Sequence, residues 1–186
     1  ANSSVLNLLR QSYSFGLSLA KLDIRQESDR HQKLLKNICE NLNLGNYQNW
    51  SEKKKISFLS KKFLSKGKLI PKNMKWTREN KEVWSTFQMI AHLPNECMGA
   101  YIVSMTSKVS DILSVILLQK ESGVKSYLRI VPLFETLLDL KNSDQVIKNL
   151  YNIPWYIKLF KHNQEIMIGY SDSSKDAGKF SASWAQ

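Results

Sequence analysis

No apolar run in this 186-residue chain approaches the eighteen or so residues needed to cross a bilayer. Nor do the first residues, Ala1-Asn2-Ser3-Ser4, carry the charged-then-apolar pattern of a secretory leader. The expectation is a soluble, cytoplasmic protein with no membrane contact. Cysteine is scarce: Cys39 and Cys97 show no Cys-x-x-Cys spacing and no histidine at ligand offsets, which argues for buried free thiols. His31, His92 and His162 are scattered and form no metal-binding motif. A phosphate loop is missing, because Gly169 to Lys175 lacks a Gly-Lys-Ser/Thr ending, and there is no Gly-x-Ser-x-Gly elbow. Acid is missing from one stretch: residues 53–75 hold Lys53, Lys54, Lys55, Lys61, Lys62, Lys66, Lys68, Lys72 and Lys75 and no Asp or Glu. Most of the net charge of +11 is therefore local. One reading is a basic, non-catalytic module that binds nucleic acid or another polyanion; the other is a solvated connector. Stacking aromatics of the RNP type are absent, so nucleic acid is not the expected partner. Residues 46–78 are read as a lysine-rich peripheral insertion or connector.

What is present is globular, at 42% hydrophobic and 10% aromatic, in one domain or a piece of a larger one. Residues 4–13 suggest a helix that Gly16 can end. Residues 17–25 read as a strand with Leu22 and Ile24 on one face and Lys21, Asp23 and Arg25 on the other. Such a strand needs a polar interior. Ser28 or Asp29 then caps a helix with Leu34, Leu35, Ile38 and Leu42 as its buried stripe. Ser51 caps a second helix carrying Ile56, Leu59 and Phe63, with lysines on its other faces, and residues 79–93 form a third around Val83, Trp84, Phe87 and Ile90. From there strand, loop and helix repeat. A strand over 100–105 leads to a helix capped by Ser110 and closed by Gly123, and a strand over 128–134 places Glu135 at its tip. Helices through Leu138 and from Ser143 to Tyr151 precede a fourth strand over 166–170, with Asp172 just beyond and a helix starting near Asp176.

Four strands alternating with helices predict a parallel sheet with right-handed crossovers. The fold class is α/β, a helix-rich (β/α)8 TIM-type barrel of which about half is represented, so that residues 1–186 are a single partial domain. Arg25, Glu135 and Asp172 then fall at the same strand ends, the active-site face of such barrels. Two carboxylates converging there suit Mg²⁺ or Mn²⁺. Arg25 can grip a phosphate or carboxylate, and Lys175 can lend charge to the same anion. The structural alternatives are that Asp172 caps a helix and that Arg25 pairs with Asp23 or Glu27.

Four stretches also carry a resemblance: 22–31 (Leu-Asp-Ile-Arg-Gln-Glu-Ser-Asp-Arg-His), 100–106 (Ala-Tyr-Ile-Val-Ser-Met-Thr), 131–136 (Val-Pro-Leu-Phe-Glu-Thr) and 167–178 (Met-Ile-Gly-Tyr-Ser-Asp-Ser-Ser-Lys-Asp-Ala-Gly). In this order they resemble phosphoenolpyruvate carboxylases across nearly the whole chain. The resemblance implies a tetrameric barrel lyase that converts phosphoenolpyruvate and bicarbonate to oxaloacetate and inorganic phosphate without biotin. It further implies that Glu135 and Asp172 hold Mg²⁺ or Mn²⁺, that Arg25 contacts the substrate phosphate, and that Lys175 lies near bicarbonate and the transferred phosphate. The family's Thr-Ala-His-Pro-Thr and Gly-Arg-Gly-Gly segments are not in this sequence. The chain is therefore expected to carry the metal carboxylates and one anion-binding arginine, and to be inactive alone.

Overall fold

A computed structural model describes residues 3–16, 18–71, 73–161 and 163–186. Ala1, Asn2, Lys72 and His162, named above, and Leu17, the first residue of the strand expected over 17–25, lie outside the described residues. Four strands, β1 (Leu22–Glu27), β2 (Met98–Ser104), β3 (Arg129–Phe134) and β4 (Met167–Ile168), form a parallel sheet in the order β1-β2-β3-β4. Each strand thus pairs with the next one in the chain. Crossovers of one hand put their helices on one face of such a sheet. In order, the helices are α1 (Ser4–Phe15), α2 (Ser28–Asn41), α3 (Glu52–Leu64), α4 (Arg78–His92), α5 (Val109–Ser122), α6 (Leu137–Tyr151), α7 (Pro154–Phe160), α8 (Tyr170–Ala177) and α9 (Lys179–Ala185).

Alternation of side chains along each strand divides the core in two. Tyr101, Val103, Ile130 and Phe134 point to the helices and join Leu34, Leu35 and Ile38 of α2, Val83 and Phe87 of α4, and most of α5 in the main core. Phe87 stacks on Tyr101, with ring centroids 5.2 Å apart. The predicted stripes of α2 and α4 are buried, except that Leu42 packs at the margin. Helix α5 is buried on nearly every side, from Val109 to Gln119 and at Glu121. A helix apolar all round belongs inside. On the opposite sheet face, Ala100, Ile102, Val131 and Leu133 form a smaller buried cluster against Met167.

Several local expectations change in the structure. Ser3 caps α1 through Leu6 N–H, and Gly16 ends it at φ 57°. Neither Ser28 nor Asp29 caps α2: the helix already starts at Ser28, and Glu27 stands at the cap position without a side-chain bond. Ser110 does not cap α5: its N–H and hydroxyl both bond Glu52 of α3, while Asp111 takes the Ser107 and Lys108 N–H groups. Residues 137–151 form one helix, not two, and Thr136 caps its start in a reciprocal pair with Asp139. Helix α8 begins at Tyr170 rather than near Asp176, which cuts β4 to two residues. Cys39 is buried, whereas Cys97 is only partly so, with its sulfur 3.0 Å from Ser18 Oγ.

The lysine-rich stretch is tied into the core at particular points. Ser51 caps α3 as predicted, Leu59 is fully buried, and Ile56 and Phe63 pack against the main core. Lys55 is an exception to the solvated lysines: it is buried and donates to Gln32 Oε1 at 3.2 Å. Buried Glu121 accepts from Leu69 and Ile70 N–H at 2.7 and 3.1 Å and fixes the connector that follows. Lys53, Lys54, Lys61, Lys66, Lys68 and Lys75 remain exposed.

Candidate active site

The charged positions on the non-helical face of β1 take different partners. Opposite Asp23, the β1–β2 pairing shifts register between Leu22 and Ile24. Gly99 leaves a notch there: a Cβ at this position would lie 2.1 Å from Asp23 Oδ1. The Asp23 carboxylate fills that notch and accepts Ala100 N–H at 2.6 Å. Asp23 is thereby committed to the backbone. Beyond the shift, Arg25 pairs with Ile102 and Ile102 with Val131, so these side chains share one face with Glu135, just past the tip of β3. Arg25 Nη2 donates to Glu135 Oε1 at 2.7 Å. The arginine alternatives Asp23 and Glu27 are therefore not the partners the structure shows. Half of the Arg25 side chain is exposed while Glu135 is almost fully covered, at 54% and 7%. The guanidinium can hold the carboxylate on one side and still present N–H donors to a bound anion.

Glu135 has a second donor that the sequence does not signal. Met105, the first residue past β2, has φ 53°, a left-handed conformation uncommon for a non-glycine residue. Its N–H reaches Glu135 Oε2 at 2.6 Å. Both oxygens of Glu135 are thus engaged, one from β1 and one from the turn that follows β2.

Asp172 approaches from the other side. Gly169 accepts no side chain comfortably: a Cβ there would lie 3.0 Å from Glu135 Cγ and 3.5 Å from Asp172 Oδ2. The two carboxylate residues flank one glycine. Asp172 is the third residue of α8 and exposed; Gly169 is the N-cap and no side chain caps this helix, so the capping alternative does not hold. A carboxylate in the first turn still complements the helix dipole. Lys175 lies three residues on, exposed, on the same helix, and forms no ion pair with Glu135 or Asp172 among the described residues. Asp176 serves a different element, since its Oδ2 accepts Leu137 N–H at 2.9 Å and caps α6 from outside.

Among the described residues no group of three or more His, Cys, Asp or Glu is placed to hold a metal ion. Two carboxylates are nevertheless the kind of donor set that suits Mg²⁺, which usually keeps several waters and takes one or two protein carboxylates. Glu135 spends one hydrogen-bond site per oxygen on Arg25 and Met105, and an ionised carboxylate offers about four.

With the strand tips so arranged, comparison with known proteins is decisive. A family model described as phosphoenolpyruvate carboxylase matches residues 1–186. This chain belongs to the phosphoenolpyruvate carboxylase family. Phosphoenolpyruvate carboxylase 1 of Flaveria trinervia is 50% identical over 184 residues, covering 99% of this chain. Phosphoenolpyruvate carboxylase 1 of Sorghum bicolor and phosphoenolpyruvate carboxylase of Medicago sativa are each 48% identical over the same length. The chain spans 19% of the length of these curated relatives. Phosphoenolpyruvate carboxylases are enzymes, and the lysine-rich residues 53–75 lie inside the family match. No helix among the described residues is long and apolar enough to cross a membrane.

Proposed function

We propose that this chain is the part of a phosphoenolpyruvate carboxylase that holds the metal carboxylates and a phosphate-gripping arginine. The observation that carries the proposal is the crowding of Glu135 and Asp172 around Gly169, with Arg25 bonded to Glu135 at the same strand ends. The four-stranded sheet is read as about half of a (β/α)8 barrel, whose chemistry lies at the C-terminal strand ends. The intact enzyme is a cytoplasmic homo-tetramer in this reading.

Glu135 and Asp172 would hold Mg²⁺ or Mn²⁺, and the cation would supply positive charge to stabilise an oxyanion as it develops. Arg25 binds the phosphate of phosphoenolpyruvate through its free N–H groups, and its bond to Glu135 keeps the guanidinium from swinging away. Bicarbonate oxygen attacks phosphorus, the bond from phosphorus to the enol oxygen breaks, and carboxyphosphate and pyruvate enolate result. Carboxyphosphate then releases CO₂ and inorganic phosphate, and the enolate carbon attacks CO₂ to give oxaloacetate. Lys175 balances charge on the bicarbonate and the transferred phosphoryl group.

Bicarbonate-dependent oxaloacetate formation tests the reading. A longer polypeptide that carries this segment is expected to turn over and the 186-residue chain alone is not, and Glu135→Gln in the longer polypeptide is expected to remove most of its Mn²⁺-dependent rate. Turnover by the short chain, or an unchanged Mn²⁺ dependence in Glu135→Gln, would overturn it.

A further inference from the structure

The left-handed backbone at Met105 is not explained by its residue type. Glycine and asparagine are the residues that adopt this conformation readily, yet a methionine occupies it, a residue 42% exposed. Side-chain packing is therefore a poor reason for its place. Three bonds hold the turn. The Ser28 hydroxyl donates to Met105 O at 2.8 Å, Thr106 N–H donates to Leu133 O at 3.2 Å, and the Thr106 hydroxyl donates to Val103 O at 2.7 Å. Glu27 and Ser104 form the last rung of the β1–β2 ladder. At the following rung the chain turns into α2, and the Ser28 side chain takes the place of a backbone donor. What the turn achieves is on its other side: the Met105 N–H is turned onto Glu135 Oε2.

We propose that Met105, through its backbone, and Ser28, through its hydroxyl, are positioning residues for Glu135. Arg25 draws one oxygen of this carboxylate toward β1 and Met105 N–H fixes the other, so the carboxylate plane is set before any ligand arrives. Strained backbone held by surrounding bonds is one way a site is preorganised. The inference rests on the reading of Glu135 as a metal ligand, and it adds two residues to the site that touch neither metal nor substrate.

Backbone and side-chain roles at Met105 predict opposite orders of variants. Valine keeps an apolar side chain but is a poor occupant of positive φ; asparagine is polar but adopts it well. In the longer polypeptide, Met105→Val and Ser28→Ala are expected to raise KM for Mn²⁺ about ten-fold, with a smaller change in kcat at saturating metal. Met105→Asn recovers most of the Met105→Val loss, and Ser28→Thr most of the Ser28→Ala loss. Val outperforming Asn, or Ser28→Ala leaving KM for Mn²⁺ unchanged, overturns the proposal. Should Met105→Val fail to fold, the Ser28 pair decides alone. Glu135→Gln in the same assay separates the two ideas. If it loses Mn²⁺ dependence while Ser28→Ala does not, the functional reading stands and the positioning role falls. If Glu135→Gln keeps Mn²⁺ dependence, the functional reading falls, and a crystal structure of Ser28→Ala decides the rest. Retention there of the Met105 N–H bond to Glu135 would refute the clamp, and its loss would sustain it.

Discussion

A single methyl at Gly169 would meet Glu135 Cγ at 3.0 Å and Glu135 Cα at 3.4 Å, and the second of these atoms belongs to the backbone. Gly169→Ala must therefore move the carboxylate, the strand tip, or both. In the longer polypeptide this substitution is expected to raise KM for Mn²⁺ by ~10-fold, equivalent to about 1.4 kcal/mol of lost binding. Steady-state kinetics with varied Mn²⁺ checks it; an unchanged KM would show that the space beside Glu135 is not needed. At this scale the sequence is informative about residue types and uninformative about pairings. Charged residues on a strand face and carboxylates past strand tips mark Arg25, Glu135 and Asp172 as candidates by alternation alone. Which carboxylate Arg25 chooses is not legible: Asp23 is two residues away and Glu135 is 110, and the nearer one is taken by the Ala100 amide beside Gly99. Met105 leaves no mark in the sequence, since its role is carried by backbone atoms that every residue has.

Helices are legible where one face alternates with solvent, and less so where caps or short segments set the boundaries. Helices α2 and α4 show the 3.6-residue period and bury the predicted stripes. Periodicity does not reveal α7, which is only seven residues long, and it splits α6 because it offers no means to join Leu138 to Ser143. Thr136 sets where that helix starts: its hydroxyl accepts Asp139 N–H at 3.1 Å and donates to Asp139 Oδ2 at 2.7 Å, while Thr136 N–H bonds the same carboxylate oxygen at 3.2 Å. Glu135 immediately precedes this cap, so the start of α6 also anchors the end of β3. Thr136→Ala is expected to cost about 1 kcal/mol, and Thr136→Ser much less, because serine keeps the capping oxygen. Thermal melting of both variants checks this. A loss in Thr136→Ala no larger than in Thr136→Ser would show that Asp176, which holds Leu137 N–H from α8, is sufficient by itself.

For the molecule as a whole, two buried groups set how stability responds to acid. His31 is completely buried with Nε2 at 2.8 Å from the Tyr101 hydroxyl and Nδ1 unpartnered, and burial, aided by Arg30, lowers it from 6.5 to about 3. Asp111 is pushed up from 3.8 to about 6 by burial, against the opposing N–H bonds from Ser107 and Lys108. Below 6.5 the unfolded chain gains a proton at His31 that the folded chain refuses, so this residue's contribution is complete above 6.5 and declines as pH falls toward 3. Asp111 acts oppositely between 6 and 3.8, where the folded chain holds a proton that the unfolded chain releases. The two effects cancel across that window, and their sum declines on either side of it, between 6.5 and 6 and again between 3.8 and 3. Asp111→Asn removes the compensation. Relative to the parent chain, its urea-unfolding free energy is expected to fall from about pH 6 to about pH 4 with a slope of ~1.4 kcal/mol per pH unit. Parallel profiles for the two proteins would refute the account. The strand order has a further consequence in time rather than in space. Because every strand pairs with its successor in the chain, the sheet can be laid down in sequence order, and parallel pairings of this kind close slowly. Arg25 lies on the strand that comes first and Glu135 beyond the third, so their bond can form only after two long crossovers have closed. The ion pair at the centre of the site therefore reports that β1, β2 and β3 have come together.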